Sequence, residues 1–414
     1  MTAHSNPDAV CIVVGASHAG SQLAVQVRKE GWEGRIILIG DETPLPYHRP
    51  PLSKAVLAGE KTVDAIALRP AAMYENNNIE LMLGTRVDHL DRASKTVRLS
   101  SGESLSYDKL ALCTGARLRT IEAGAELPNV FYLRQAHDLD AIRAAMPDAK
   151  RVVIIGAGYI GLEVAAVMAK QDDMTVTVLE MADRILQRVA SPIVSQYFTD
   201  LHSANGVEIY PETRVTDIRR EGQYNIVSTL GGKQYEADIV VIGVGVVAET
   251  QLAEDAGLQV SNGIVVDARA CTEDEDIYAA GDCTWHPNAL YGRYLRLECV
   301  QNALDQAKVA AANIVGKDSK YESLPWFWSD QFDVKLQSVG LSDGYDELIV
   351  RGDTSAASDG FTVFYFREGQ LIASDSVNRA KEFMACKRII AQKLEVNREA
   401  LADIGAMPDQ FAKA

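Results

Sequence analysis

The chain of 414 residues is short of positive charge: 41 lysines and arginines face 57 aspartates and glutamates, a net charge of −16. That balance argues against nucleic acid or an anionic membrane as the main partner. Cysteine is sparse, and its six copies (Cys11, Cys113, Cys271, Cys283, Cys299, Cys386) are scattered with no CxxC or CxxxxC pair. The spacing disfavours a redox disulfide or a zinc knuckle, and no metal site is expected. Cys11 and Cys113 lie in apolar strand patterns and read as buried small side chains. No apolar run approaches the roughly 20 residues that span a bilayer. The opening MTAHSNPDAV lacks the charged-then-apolar layout of a signal peptide, so the expected location is cytoplasmic. What remains is globular, 47% hydrophobic and 24% charged, and long enough for two or three domains.

What is present begins with Arg151 to Glu180, RVVIIGAGYIGLEVAAVMAKQDDMTVTVLE. The apolar run Val152 to Ile155 reads as a buried parallel strand. It breaks at Gly156-Ala157-Gly158-Tyr159-Ile160-Gly161, and the pattern predicts a helix over Leu162 to Lys170. A second strand, Thr175 to Leu179, ends on Glu180, nineteen residues past Gly161. Gly156 permits the tight turn, Gly158 lets backbone approach a pyrophosphate, and Gly161 lets helix and strand pack closely. Phosphates then meet free N–H groups and the positive end of the helix dipole. Glu180 is placed to accept hydrogen bonds from a ribose diol. A glycine loop alone is weak; one with its strand, helix and terminal acid is strong.

The layout recurs 141 residues earlier. Val10 to Val14 leads to Gly15-Ala16-Ser17-His18-Ala19-Gly20, a helix reaching Gly31, and a strand from Arg35 to Ile39 that ends at Gly40-Asp41-Glu42. Ser17 replaces the middle glycine and leaves less room, while Asp41 or Glu42 supplies the acid. Two dinucleotide sites in one chain suit hydride transfer between a tightly held flavin and an exchanging nicotinamide. Next, Pro44 to Lys54 (PLPYHRPPLSK) is a stiff loop that brings the cations Arg49 and Lys54 near a cofactor. Strand signals over 80–112 end at Thr114-Gly115-Ala116, where a strand top can touch a dinucleotide.

Beyond Glu180 the pattern predicts a helix over 191–204 and strands near 207–210, 215–219, 225–230 and 239–242. Gly243-Val244-Gly245 either flanks the nicotinamide dinucleotide or is a plain exit turn. From Ala248 the chain is expected to return to the first domain. There Ile277 to Asp282 places Asp282 on a turn suited to a ribitol hydroxyl and a flavin phosphate. The pattern predicts a helix over Cys299 to Val315; if its first turn points at the flavin's pyrimidine end, its N–H groups, including that of Val300, stabilise negative charge on the reduced ring. Glu298 is either an anion near the rings or a helix-start acid. After Trp326-Phe327-Trp328, strands at 345–351 and 361–367 and a helix over 380–393 predict a small α+β domain on a two-faced antiparallel sheet. Trp326 either packs in its core or covers the nicotinamide site.

With these residues placed, nearly the whole chain resembles the FAD-dependent ferredoxin reductases of bacterial oxygenase systems. The markers are Pro50-Pro51-Leu52-Ser53-Lys54, Gly156 to Glu163 (GAGYIGLE), Ala280-Gly281-Asp282, Glu298 to Ala303, and Pro325 to Gln331 (PWFWSDQ). The first and last are much rarer than a glycine loop. The resemblance implies an α/β fold with two Rossmann-like dinucleotide-binding domains and a C-terminal α+β domain. Its implied boundaries are 1–117 with 248–322 for FAD, 118–247 for NADH, and 323–414. It also implies that Ala19, Asp41, Lys54, Val87, Arg134, Asp282 and Val300 contact FAD. Gly158, Ile160, Glu163, Glu180 and Gly245 would then lie along NADH, with Trp326 at its nicotinamide end.

The implied reaction passes hydride from NADH to FAD and single electrons to a [2Fe–2S] ferredoxin, which feeds a haem monooxygenase or Rieske dioxygenase. No side chain is needed as acid, base or nucleophile; Lys54, Glu163 and Glu298 are expected near the reacting rings. A carboxylate at Glu180 repels a 2′-phosphate and favours NADH, with Arg184 as the complication. Arg293, Arg296, Lys308 and Lys335 are candidates for a cationic docking rim. The expected state is a monomer or weak dimer. The rival readings are a rubredoxin or monodehydroascorbate reductase, and a signalling flavoprotein of the apoptosis-inducing-factor kind.

Overall fold

The computed structural model describes residues 6–124 and 126–413. The chain divides into two compact units. One holds the chain up to Arg49, Lys61–Arg117 and Val246–Ser323; the other holds Pro50–Glu60, Leu118–Gly245 and Leu324 onward.

The first unit is built on a parallel sheet whose strands run in the order Ile277–Ala279, Lys109–Leu112, Val10–Val14, Arg35–Ile39, Ile79–Met82. Its central strands are apolar runs buried on both faces, as a parallel sheet covered on both sides requires. On one face, helix His18–Glu30 packs Leu23, Ala24 and Val27 beside Ala303, Ala307 and Ala310 of helix Val300–Ile314. Alanines on the second helix allow that close approach. On the other face, Leu90, Val97 and Leu99 of an antiparallel hairpin complete the core.

The second unit repeats this plan. Its sheet runs Val207–Tyr210, Thr175–Leu179, Arg151–Ile155, Ile239–Ile242, Val130–Tyr132, all parallel. A three-stranded antiparallel insert over Val215–Glu221, Tyr224–Thr229 and Gln234–Ala237 covers one face. The motif helix spans Tyr159–Met168 rather than Leu162 to Lys170. It begins inside the glycine motif because Gly158 is already its N-cap, and it stops short of the acidic turn at Asp172-Asp173.

The segment expected as a C-terminal α+β domain on a two-faced sheet falls in the second unit from Leu324 on. Its antiparallel sheet, Trp326–Gln331, Val334–Gly340, Gln370–Val377, Phe361–Arg367, Glu347–Gly352, is buried on both faces at its centre. Along Phe361–Arg367 the alternation explains why. Phe361 and Tyr365 meet Tyr197 and Ser191 at helix Pro192–Ala204, with rings 5.0 Å apart and hydroxyls 2.8 Å apart. On the opposite face Thr362 meets Glu382 of helix Ala380–Gln392, and Phe364 meets Phe411. Polar-out alternation is missing because neither face is out. Pro50–Glu60, expected with residues 1–117, also belongs here, since Ser53 and Lys54 bond Glu163 of the motif helix.

Candidate functional site

The first glycine loop closes as the motif demands. Gly15 sits at φ +105, and a Cβ built on it would stand 2.1 Å from Cys113 O; one on Gly20 would stand 1.8 Å from Gly15 O. Ser17 is the N-cap of His18–Glu30 without a side-chain cap bond, and its hydroxyl accepts a hydrogen bond from Arg49 Nε at 3.1 Å. Arg49 also pairs with Glu42, which accepts from the Tyr47 hydroxyl. Tyr47, Glu42 and the nearby Asp282 hold the guanidinium charged above its ordinary range against burial. Asp282 follows Gly281, at φ +93, whose N–H donates to Gln306 Oε1 at 2.9 Å. Thr114 Oγ1 donates to Glu249 O at 2.6 Å, and Glu249 N donates to Gly115 O at 2.9 Å, so that strand top is a tied turn. Val87 is buried in the sheet-covering hairpin, and helix Val300–Ile314 starts at Val300, with Cys299 as N-cap. Glu298 is exposed and pairs with Arg296.

The acids expected for this loop, Asp41 or Glu42, follow the position that matches Glu180. Gly156 N donates to Leu179 O, and Glu180 N to Tyr210 O; the matching bonds in the first unit run from Gly15 to Ile39 and from Gly40 to Met82. The counterpart of Glu180 is therefore Gly40, where a Cβ would stand 2.4 Å from Ala16 Cβ. Asp41 lies one residue farther on and is exposed, while Glu42 is committed to Arg49.

In the second loop, a Cβ on Gly156 would stand 2.5 Å from Gly243 O, and one on Gly161 would stand 2.1 Å from Gly156 O. A Cβ on Gly158 would meet nothing within 4 Å. The protein's own packing does not require glycine at 158. Ile160 is 46% exposed on the first helical turn. Glu180 accepts from Ala157 N at 2.6 Å and from Ala182 N at 2.8 Å, which holds its carboxylate beside the loop with lone pairs to spare. Arg184 donates to Ala190 O, Gln187 O and Ser195 Oγ, so its guanidinium is spent on the fold. Gly245 sits at φ +99.

Glu163 on the same helix is 2% exposed and collects Lys54 Nζ at 2.6 Å, Ser53 Oγ at 2.5 Å and Ser329 Oγ at 2.7 Å. Gln331 Nε2 donates to Ser329 Oγ, and His202 Nε2 lies 2.8 Å from Gln331 Oε1. Ser53, Ser329, Gln331 and His202 were not singled out in the sequence, although the first three lie inside the two rare motifs. Trp326 is half-buried against Trp328 and Phe383, with Lys387 Nζ 4.9 Å over its ring. Arg134 is half-buried and its backbone N donates to Asp138. Of the proposed docking cations, Arg296, Lys308 and Lys335 pair with Glu298, Asp305 and Asp330, which cancels much of that rim.

Residues 9–310 match the model of the pyridine nucleotide-disulphide oxidoreductases, and residues 326–407 that of the reductase C-terminal domain. The chain belongs to the pyridine nucleotide-disulphide oxidoreductase family. Among its relatives, putidaredoxin reductase CamA of Pseudomonas putida is 43% identical over 95% of this chain and 94% of that protein. The ferredoxin–NAD(P)(+) reductase fdr of a Sphingomonas species is 42% identical over 92% of each. The putidaredoxin reductase chain of the covalent putidaredoxin reductase–putidaredoxin crystal structure superposes at a TM-score of 0.93, with 41% identity and 98% of each chain covered.

As a family member this oxidoreductase works with FAD and NAD(P)H, and its own residues fit them: two glycine cradles, one left open at Gly158 by the protein itself. Its sequence holds no CxxC or CxxxxC pair. All six cysteines are free, and burial pushes the thiols of Cys11, Cys299 and Cys386 up to about 12, where no nucleophilic thiolate forms. Among the described residues no helix is long and apolar enough to cross a membrane.

Proposed function

We propose that this oxidoreductase takes electrons from NADH and delivers them to a [2Fe–2S] ferredoxin serving a bacterial oxygenase. The observation that carries the reading is a duplicated nucleotide cradle in a chain whose thiols are all free. With no disulfide to receive the electrons, they leave through an outside carrier, and relatives over nearly the full length are named for ferredoxins. Bound FAD supplies the step that links a two-electron donor to a one-electron acceptor.

The chain's residues bind and orient. Gly15, Ala19 and Gly20 shape the first cradle, Arg49 beside Ser17 faces the FAD phosphates, and Asp282 takes a ribityl hydroxyl. The first turn of Val300–Ile314 offers N–H groups and a dipole worth about half a positive charge to the pyrimidine end. Asp41, Val87, Thr114, Gly115 and Arg134 complete the FAD contacts in this reading. On the coenzyme side, Gly156, Gly158 and Gly161 receive the diphosphate, Ile160 and Gly245 flank it, and Glu180 binds the ribose diol. With Arg184 consumed by the Ala190 and Gln187 carbonyls and the Ser195 hydroxyl, its guanidinium does not offset the repulsion between Glu180 and a 2′-phosphate, so NADH is preferred over NADPH. Lys54, Glu163 and Trp326 line the nicotinamide end. The free thiols suit the reducing cytoplasm.

The purified protein is expected to be yellow, to bleach when NADH is added without oxygen, and to reduce a [2Fe–2S] ferredoxin catalytically. Colourless protein, or no bleaching, ends the reading. Bleaching with faster turnover on rubredoxin or a small oxidant keeps the flavoenzyme and replaces the acceptor.

A further inference from the structure

The second cradle receives a diphosphate, yet Gly156 to Gly161 contains no basic residue, and a helix end contributes only about half a charge. The segment after Glu180 curls back over this loop. Leu186, held at φ 54, donates its N–H to Ala157 O at 3.0 Å, while Ala157 N donates to Glu180. Of the segment's two arginines, Arg184 is tied to carbonyls and Arg188 is not. Arg188 is exposed, and among the described residues it has neither an ion pair nor a hydrogen bond. Its guanidinium lies over Gly245, where a built Cβ would stand 3.2 Å from Nη2 and 3.8 Å from Nη1. The Gly243 to Gly245 turn in turn lies against Gly156. An uncommitted cation is thus held at the rim of the loop that takes the anion.

We propose that Arg188 clamps the diphosphate of the nicotinamide coenzyme. A guanidinium presents a planar fork of donors that matches two phosphate oxygens at once. The contact is the same before and after hydride transfer, so it sets coenzyme affinity more than turnover. The inference rests on the second cradle being the NADH site.

The test uses the holoenzyme, its Arg188→Gln variant and its Arg188→Lys variant, with equilibrium binding of ADP-ribose, NAD+ and adenosine beside steady-state kinetics. Arg188→Gln is expected to weaken ADP-ribose and NAD+ roughly tenfold, the scale of one lost charged hydrogen-bonded contact. KM for NADH rises to match while kcat falls less than about twofold. Adenosine binding stays unchanged, the salt dependence of ADP-ribose binding flattens, and Arg188→Lys lies between. NADH and NADPH should suffer equally. A loss confined to NADPH means that Arg188 reads the 2′-phosphate, and overturns the proposal. Unchanged ADP-ribose affinity in a folded, yellow Arg188→Gln protein overturns it alone. Wild-type protein that binds no ADP-ribose overturns it together with the NADH reading beneath it.

Discussion

At the scale of single residues, the glycines of the second loop separate packing from ligand binding. Gly158 has φ −78, a value any residue adopts, and open space where its Cβ would be. Aspartate there is a favourable N-cap, so Gly158→Asp should hold or raise stability by up to about 1 kcal/mol. The same carboxylate faces the diphosphate, so KM for NADH should rise more than about tenfold by like-charge repulsion. Gly161→Ala places a methyl 2.1 Å from Gly156 O and should destabilise by about 2 kcal/mol. Thermal unfolding and NADH kinetics on both variants decide. A destabilised Gly158→Asp that kept its NADH kinetics would contradict the cradle assignment. Spacing made these glycines readable; about twenty residues past the first loop it pointed to Asp41 or Glu42, which lie one and two residues beyond Gly40, the backbone counterpart of Glu180.

At the scale of elements, period-2 and continuous apolar runs placed the central strands of both parallel sheets, because a run buried on both faces is its own signature, while the short edge strand Val130–Tyr132 went unread. The same reasoning also found strands of the C-terminal antiparallel sheet, but not that the centre of this sheet is buried on both faces. Thr362, Ser374 and Ser376 share one face and are fully buried there, Thr362 donating to Glu382 of helix Ala380–Gln392. Tyr365 shows how the sheet is fastened: its hydroxyl donates to Asp375 at 2.6 Å and lies 2.8 Å from Ser191 Oγ. Burial raises the Asp375 carboxyl above the usual range, and the Ser338 and Tyr365 hydroxyls counter it. Tyr365→Phe should leave that carboxyl short of a donor and cost about 1–3 kcal/mol. Urea unfolding would show it as a lower midpoint with an unchanged slope; an unaltered midpoint would mean that the hydroxyl contributes nothing.

At the scale of the whole molecule, two buried histidines set an acid limit. Burial pushes His202, in the second unit, and His286, in the first, down to about 4. Unfolded, both titrate near 6.5. Between those values the unfolded chain binds more protons than the folded one, so stability is full above about pH 6.5 and falls as pH drops toward 4. The slope is about 1.4 kcal/mol per pH unit for each histidine. Unfolding free energies measured from pH 7 to pH 4.5 should show the fall, and His202→Gln should flatten its own share. A curve flat over that range would show that neither histidine is neutral in the fold.

The sequence by itself determined the two nucleotide cradles, because strand, glycine turn, helix and acid lie within some thirty residues of one another and need only local geometry. It also disfavoured a redox disulfide of the CxxC or CxxxxC kind, because that motif is a matter of local spacing. Only the tertiary structure decided what each polar group is spent on. Arg184 and Arg188 are four residues apart and alike on paper, yet one is consumed by carbonyls while the other is held beside Gly245. Glu163 became a buried hub only when chain segments more than a hundred residues away brought Ser53 and Ser329 to it. Charge and hydrogen bonding act through space, and distance along the chain does not record it.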